Sequence, residues 1–378
     1  MAGEVYITRF SKFFPNDPIS NEDMEGWLGL IYNEESRGKA LVMRRNGIDN
    51  RYYALDKNGR VTHSNAQITA EAIKAIFDDD FGLDDLELLA CGTTSPDQLL
   101  PSHASMVHGE LKGNPIEILS SSGSCCSGMN AMKYAYLSVK AGSTKNAICT
   151  GSETMSHWLL AKQFNSEAAK LDELNERPIV AFEKDFLRWM LSDGAGAALI
   201  EPEPRGELSL RIDWIDMLSF ANELDTCMYA GAVKLEDGEI RGWRDYESNE
   251  WLDDSIFCVK QDVKLLDKNI TAVGTQMIKD ITVKRNFDIS KIDHFLPHIS
   301  SEYFRQQIMD ETTRLGIPIA AEKWFTNLDK VGNVGSASIY LMLEELFHSG
   351  DLKKGQQILL MVPESARFTY AYTLLTVC

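Results

Sequence analysis

The chain has 378 residues, 44% of them hydrophobic and 25% charged, with a formal net charge of −18. This is the balance of a globular protein, long enough for one large core or two ordinary domains. The acidity argues against nucleic acid, whose phosphates need concentrated Lys and Arg, and no apolar run reaches membrane-spanning length.

The opening stretch Met1 to Phe10 lacks the basic-then-apolar order of a secretion signal. Seven cysteines without a C-x-x-C pair fit a reducing compartment, so a cytoplasmic location is expected. An acidic partner such as a carrier protein would need a local basic patch. Arg44 with Arg45, Lys184 with Arg188, and Lys279 with Lys284 and Arg285 are candidates, and each reads more readily as ordinary solvated charge.

Ile116 to Leu119 reads as a short buried strand, and Met129 to Lys140 as a mostly buried helix. Between them runs Ser120-Ser-Ser-Gly-Ser-Cys-Cys-Ser-Gly-Met-Asn130. A cysteine on such a bend meets the positive end of the helix dipole and free backbone N–H groups. That setting favours thiolate and can receive a developing oxyanion. The same pair also fits two packed core cysteines, since free Cys is among the most buried residue types.

The helix stops at Gly142, and Asn146 to Thr150 reads as a strand followed by Gly-Ser-Glu153. From His157 to Trp251 the chain is dense in aromatics: Trp158, Phe164, Phe182, Phe186, Trp189, Trp214, Phe220, Tyr229, Trp243 and Trp251. They fit the wall of an apolar substrate tunnel, and equally an oligomer contact or ordinary core. Asp193 to Ile200 closes the first half, which places a boundary near residues 201–205.

In the second half, Ile292 to His298 alternates apolar and polar residues as a strand does, with His298 just beyond Pro297. Asn333 opens a helix, Ala337 to Phe347, that ends near Gly350. A strand, Gln357 to Val362, and then Pro-Glu-Ser365 follow. Both halves thus read loop, buried helix, glycine stop, buried strand, acidic turn. Strands apolar on both faces imply sheets covered by helices, an α/β fold of two duplicated halves, 1–203 and 204–378.

Cys126, His298 and Asn333 make a chemically coherent set. A thiolate takes an acyl group, while a neutral imidazole and an amide donate to a second thioester carbonyl and stabilise an enolate there. Competing motifs fail. His294 and His298 stand on strand-like sequence beside Pro297, not on one helical face, and Gly194-Ala-Gly196 lacks the third glycine of a dinucleotide fingerprint.

These residues resemble the β-ketoacyl-acyl-carrier-protein synthase III branch of the thiolase-fold condensing enzymes. Arg45-Asn-Gly-Ile48 is similar to the family's R-T-G-I. Cys91-Gly-Thr-Thr-Ser95 with Pro101-Ser102 is similar to T-T-S…F-P-S. Cys126-Ser-Gly-Met129 resembles C-A-G-F, Gly151-Ser-Glu153 resembles G-S-D, and Ser192 to Ala198 resembles G-D-G-A-G-A-A. Pro297-His298 and Gly332-Asn333 match the loops that carry the family's His and Asn.

The resemblance implies a five-layered αβαβα thiolase-like fold and a homodimer. It assigns Cys126 as acylated nucleophile, with Cys125 where the family usually has alanine, and His298 with Asn333 as the decarboxylation pair. It places Arg45, Leu100, Ser301, Ala366 and Phe368 at the substrate. It implies no cofactor beyond a phosphopantetheine arm, delivered by an acyl carrier protein or coenzyme A. Departures are a C-terminal loop, Ser365 to Ala371, that lacks the family's glycines but carries Arg367, Leu41 in place of a tryptophan, and His298-Ile-Ser-Ser301 in place of H-Q-A-N. With the N-terminal Phe14-Pro-Asn-Asp-Pro18, they resemble dialkylresorcinol-type enzymes. Those join a β-ketoacyl chain to an enoyl chain and close a ring.

Overall fold

The computed structural model describes residues 3–31, 39–163, 187–253 and 255–378. Phe164, Phe182, Phe186 and Lys184 lie outside these residues, and the side chain of Leu41 is not described.

The first half contributes β1 (Tyr6–Phe13), α1 (Asn65–Lys74), β2 (Leu88–Thr93), α2 (His103–Leu111), β3 (Glu117–Ser122), α3 (Cys126–Ala141), β4 (Ala147–Glu153) and β5 (Gly194–Glu201). The second contributes β6 (Leu210–Ser219), α4 (Val263–Lys284), β7 (His294–Pro297), α5 (Tyr303–Arg314), α6 (Ser338–His348), β8 (Gln357–Glu364) and β9 (Thr369–Val377). The nine strands order as β7-β8-β9-β6-β1-β5-β4-β2-β3. They form one hydrogen-bonded sheet because β1 pairs antiparallel with β5 and, through Tyr6 and Ile7, with β6.

Three apolar clusters set the layers. α1 and α2 cover one face of β2, β4 and β5, and α4 and α5 cover the outer face of β7 to β9. Between the two halves, α3 and α6 share a core with Cys149, Ile200, Leu360 and Leu375. The result is the expected five-layered α/β fold. Strands β2, β4 and β5 are buried along their whole length, as strands covered on both faces must be.

The two central helices approach closely because glycines face them. A Cβ on Gly128 would come within 2.4 Å of the Ser336 carbonyl oxygen, and one on Gly151 within 2.2 Å. The Tyr340 hydroxyl donates to the Gly128 carbonyl at 2.8 Å, locking α6 to α3. α3 is longer than the expected Met129 to Lys140, because the bend before it turns at Gly123 and the helix begins at Cys126. β3 differs from expectation: it lies at the edge of the sheet with Glu117 and Ile118 exposed, so only one neighbour covers it.

Candidate active site

Three chain segments meet at the C-terminal ends of β2, β4, β7 and β8. His298 follows β7, and its N–H extends the ladder by donating to the Met361 carbonyl at 2.8 Å. Asn333 follows Gly332, whose φ of 72° suits glycine and whose neighbours Ser192 and Arg51 leave no room for a Cβ. Asn333 is held from the first half: its N–H donates to the Met190 carbonyl and the Ser192 N–H donates to its carbonyl, both at 2.9 Å. The Gly335 N–H donates to Asn333 Oδ1 at 2.9 Å, which leaves the Nδ2 hydrogens to give elsewhere.

His298, Asn333 and Cys125 line one cavity, with Thr94, Ser124 and Glu153 at its polar end. Its remaining wall is mostly aliphatic and methionine, including Met155, Met190, Met228, Ile270 and Met361, with Phe304. Burial lowers the His298 pKa to about 4, so the imidazole is neutral at physiological pH and keeps one N–H to donate.

The two cysteines divide. Cys125 lines the cavity, whereas the Cys126 thiol is fully buried, 3.3 Å from the Val362 carbonyl and 3.6 Å from that of Thr369. Cys126 is not among the described residues that line the cavity. The thiolate-favouring setting expected at this bend is also altered. Burial and the neighbouring Glu364 carboxylate push the Cys125 thiol up to about 12 and raise Cys126 well above its ordinary value. Glu364 lies close enough to the start of α3 that the backbone N–H groups of Cys126 and Ser124 oppose the rise that burial gives its own pKa. With their pKa values raised, both thiols rest protonated at neutral pH.

Glu153 is the other carboxylate here. It is fully buried and accepts from the Thr94 hydroxyl and the Ser95 hydroxyl at 2.7 Å, and from the Thr94 and Ser336 N–H groups at 3.1 Å. These bonds tie the loop after β2 to the loop that carries Asn333. Asp193, also fully buried, accepts from Ala54 N–H at 2.7 Å and Ser156 N–H at 2.9 Å; burial raises its pKa to about 6.

The other expected substrate residues are not among the described residues that line the cavity. Arg45 is exposed, its guanidinium 5.9 Å from the Tyr303 ring centroid. Ser301 is buried and donates to the Arg45 carbonyl at 3.2 Å, while its neighbour Ser300 lines the cavity. Leu100 is 86% exposed on the surface loop before α2. In the C-terminal loop, the Ala366 carbonyl accepts from Cys227 N–H at 2.9 Å, and Phe368, at φ 57°, is buried in the outer core. The described aromatics expected in a tunnel wall mostly pack elsewhere. Trp243 and Trp251 meet edge to face at 5.6 Å, and Trp189 is core. Leu187, Met190 and Met228 from the same region line the cavity instead.

Sequence reasoning missed Glu364 and the scaffold role of Glu153. The only signal was the acidic turn noted after each strand, which gives no hint of which carboxylate meets the start of α3.

Helices α3 and α6 between strand layers define a thiolase-like fold, with a thiol, an imidazole and a carboxamide at one cavity. The family profile described as "3-Oxoacyl-[acyl-carrier-protein (ACP)] synthase III C terminal" matches residues 283–375. A β-ketoacyl-[acyl-carrier-protein] synthase III of Clostridium perfringens is 26% identical over 354 residues, 93% of each chain. Among solved structures, the tetronic acid condensing enzyme AbyA1 superposes with a TM-score of 0.77 at 16% identity over 98% of this chain and 99% of its own. The 3-oxoacyl-[acyl-carrier-protein] synthase III of Aquifex aeolicus gives 0.67 at 21% over 99% and 100%. The chain is thus similar along nearly its whole length to β-ketoacyl-acyl-carrier-protein synthase III enzymes.

Proposed function

We propose that this ketosynthase joins two acyl thioesters through a cysteine acyl-enzyme, with carrier-protein-bound β-ketoacyl and acyl or enoyl chains as substrates and a dialkylresorcinol- or cyclohexanedione-type ring as the product. The observation that carries it is the shared cavity: a thiol, a neutral His298 and an Asn333 amide with its oxygen pinned stand at the polar end of an apolar tunnel. Cys126 stands at the motif position of the nucleophile and Cys125 at the cavity wall, so the vicinal pair supplies the acyl acceptor. Neutral His298 and Asn333 Nδ2 donate to the second thioester carbonyl and hold its enolate. The phosphopantetheine arm of the carrier delivers each chain, and no resident cofactor is required. The names of the curated relatives favour a second reading, condensation of an acyl primer with malonyl carrier protein in fatty acid synthesis.

The two halves of the chain, 1–203 and 204–378, each supply part of the site. The open edge of β3, with Ile118 on it and Leu137 on α3 49% exposed, supports a homodimer across that edge, which is also the route by which exposed Leu100 would be covered. Among the described residues no helix is long and apolar enough to cross a membrane.

Peptide mapping after incubation with octanoyl, β-ketoacyl and enoyl carrier thioesters, with product mass analysis, tests the reading. We expect acyl mass on Cys126 and a new carbon–carbon bond. Cys126→Ala abolishes condensation, by roughly 10⁴-fold or more. Acyl mass on Cys125 alone moves the nucleophile by one residue. Acyl mass on neither, or hydrolysis as the sole outcome, removes the proposal.

A further inference from the structure

The cavity wall carries a buried carboxamide, Gln261, that has no part in the acyl transfer described above. It is 2% exposed and lines the tunnel from the short strand Lys260–Gln261, where it pairs with Met228, another wall residue. Its partners are weak. Nε2 points at the Cys227 carbonyl at 3.4 Å, but the Asp262 N–H already holds that oxygen at 2.7 Å. The same nitrogen donates to Cys227 Sγ at 3.1 Å, and sulfur is a weak acceptor. Oε1 accepts from the Ser365 hydroxyl at 3.4 Å, and Ser365 lines the cavity too. A carboxamide buried among apolar side chains with no short bond to any oxygen is under-satisfied, and a better acceptor would draw its N–H.

Other polar side chains of the wall are committed. Thr271 donates to Gln307 Oε1 at 3.2 Å, and the oxygens of Glu153 are filled by Thr94, Ser95 and Ser336. Gln261 also stands toward the thiol end of the tunnel. Cys126 Sγ touches the Val362 carbonyl at 3.3 Å, and Ser365 follows Val362 by three residues, at most about 10 Å along extended backbone.

We propose that Gln261 sets chain specificity: its Nε2 donates to a keto oxygen on the acyl chain in the tunnel while Ser365 holds Oε1. The tunnel then takes a β-ketoacyl chain in preference to a saturated chain of equal length. The proposal rests on the condensing reading above and assigns a residue to its β-ketoacyl substrate. On binding, an Nε2 hydrogen exchanges a thiol sulfur for a carbonyl oxygen, the stronger acceptor, and no covalent bond is made or broken. A saturated chain presents only methylene to the same donor, which keeps its weak partners. Discrimination comes from satisfying a donor that the fold leaves poorly paired.

The test uses the full-length protein with 3-oxooctanoyl and octanoyl acyl carrier protein in competition. Mass spectrometry of the intact protein reads cysteine acylation, and kcat and KM are measured for each chain. Wild type is expected to prefer the keto chain by about 10-fold in kcat/KM. Gln261→Met, of similar length but with no donor, should lower that ratio about 10-fold, through the KM of the keto chain rather than kcat. Gln261→Leu, a second apolar replacement, should do the same, and Ser365→Ala should lower the ratio by a smaller factor because Oε1 loses its anchor. A ratio unchanged in both apolar variants overturns the inference. Equal slowing of the two chains is one such result and leaves Gln261 as a packing residue only. Wild type that is acylated by both chains without preference and forms the carbon–carbon bond defeats this inference and leaves the condensing reading standing. Wild type that neither becomes acylated nor forms the bond defeats both.

Discussion

Glu153 and Glu364 end corresponding strands in the two halves, β4 and β8, yet they are placed in opposite ways. Glu153 is fully buried and its oxygens are saturated by hydroxyl and amide donors drawn from both halves. Glu364 is only partly buried and lies near the start of α3, where it raises the Cys126 thiol pKa. Burial raises the proton affinity of both. What differs is the freedom of the oxygens to exchange a proton. A carboxylate with every lone pair engaged is a clamp and is poorly placed to exchange a proton. Duplication supplied one position twice, and the packing of α3 against β8 gave the second copy different surroundings.

That contrast can be broken at several points. The largest stability effect is expected at the clamp. Glu153→Ala leaves the Thr94, Ser95 and Ser336 donors unpaired in a dry site, at a cost of about 3–5 kcal/mol in urea denaturation. Glu364→Gln, by contrast, should shift stability by less than about 1 kcal/mol, since the side chain is only partly buried and the amide keeps its shape. Equal losses for the two would erase the distinction.

A smaller effect tests the backbone that the clamp positions. Gly128→Ala drives a Cβ to 2.4 Å from the Ser336 carbonyl oxygen, so the Asn333 loop must move. We expect a loss of about 1–3 kcal/mol in thermal unfolding, together with lower condensation but retained cysteine acylation. Unchanged condensation would separate the loop from the chemistry.

A further test concerns pH. The folded pKa of His298 lies near 4, below the ordinary 6.5, so the unfolded chain binds the extra proton first. Its contribution is fully present above about pH 6.5 and is lost as pH falls toward 4. Between pH 7 and 5 the shift amounts to about 2 kcal/mol. Glu153 and Glu364 push the other way, because their folded pKa values are raised and the native state binds those protons first. His298→Asn should therefore flatten the acid limb of a urea-midpoint profile. An unchanged slope would mean that His298 is not held neutral by burial.

Much of this was legible in the residues, and for local reasons. The run Met129 to Lys140 has helical spacing and a glycine stop, Gln357 to Val362 is a continuous apolar strand, and Pro297 and Gly332 punctuate the chain just before His298 and Asn333. Those signals depend on neighbours within a few positions. The edge position of β3 was not legible, because a short apolar run looks the same at the rim of a sheet as at its centre. Nor was the turning of Cys126 toward Val362 and Thr369, more than 230 positions away in sequence.

By itself, then, the sequence determined the duplicated α/β plan, the elements that frame the site, and the residue types available for acyl transfer. These follow from periodicity, glycine and proline punctuation, and side-chain chemistry. Only the tertiary structure decided which thiol faces the cavity and which carboxylate is spent on scaffolding. Those outcomes are set by side chains brought together from opposite ends of the chain, where burial and hydrogen-bond saturation, not residue identity, fix what each group can do.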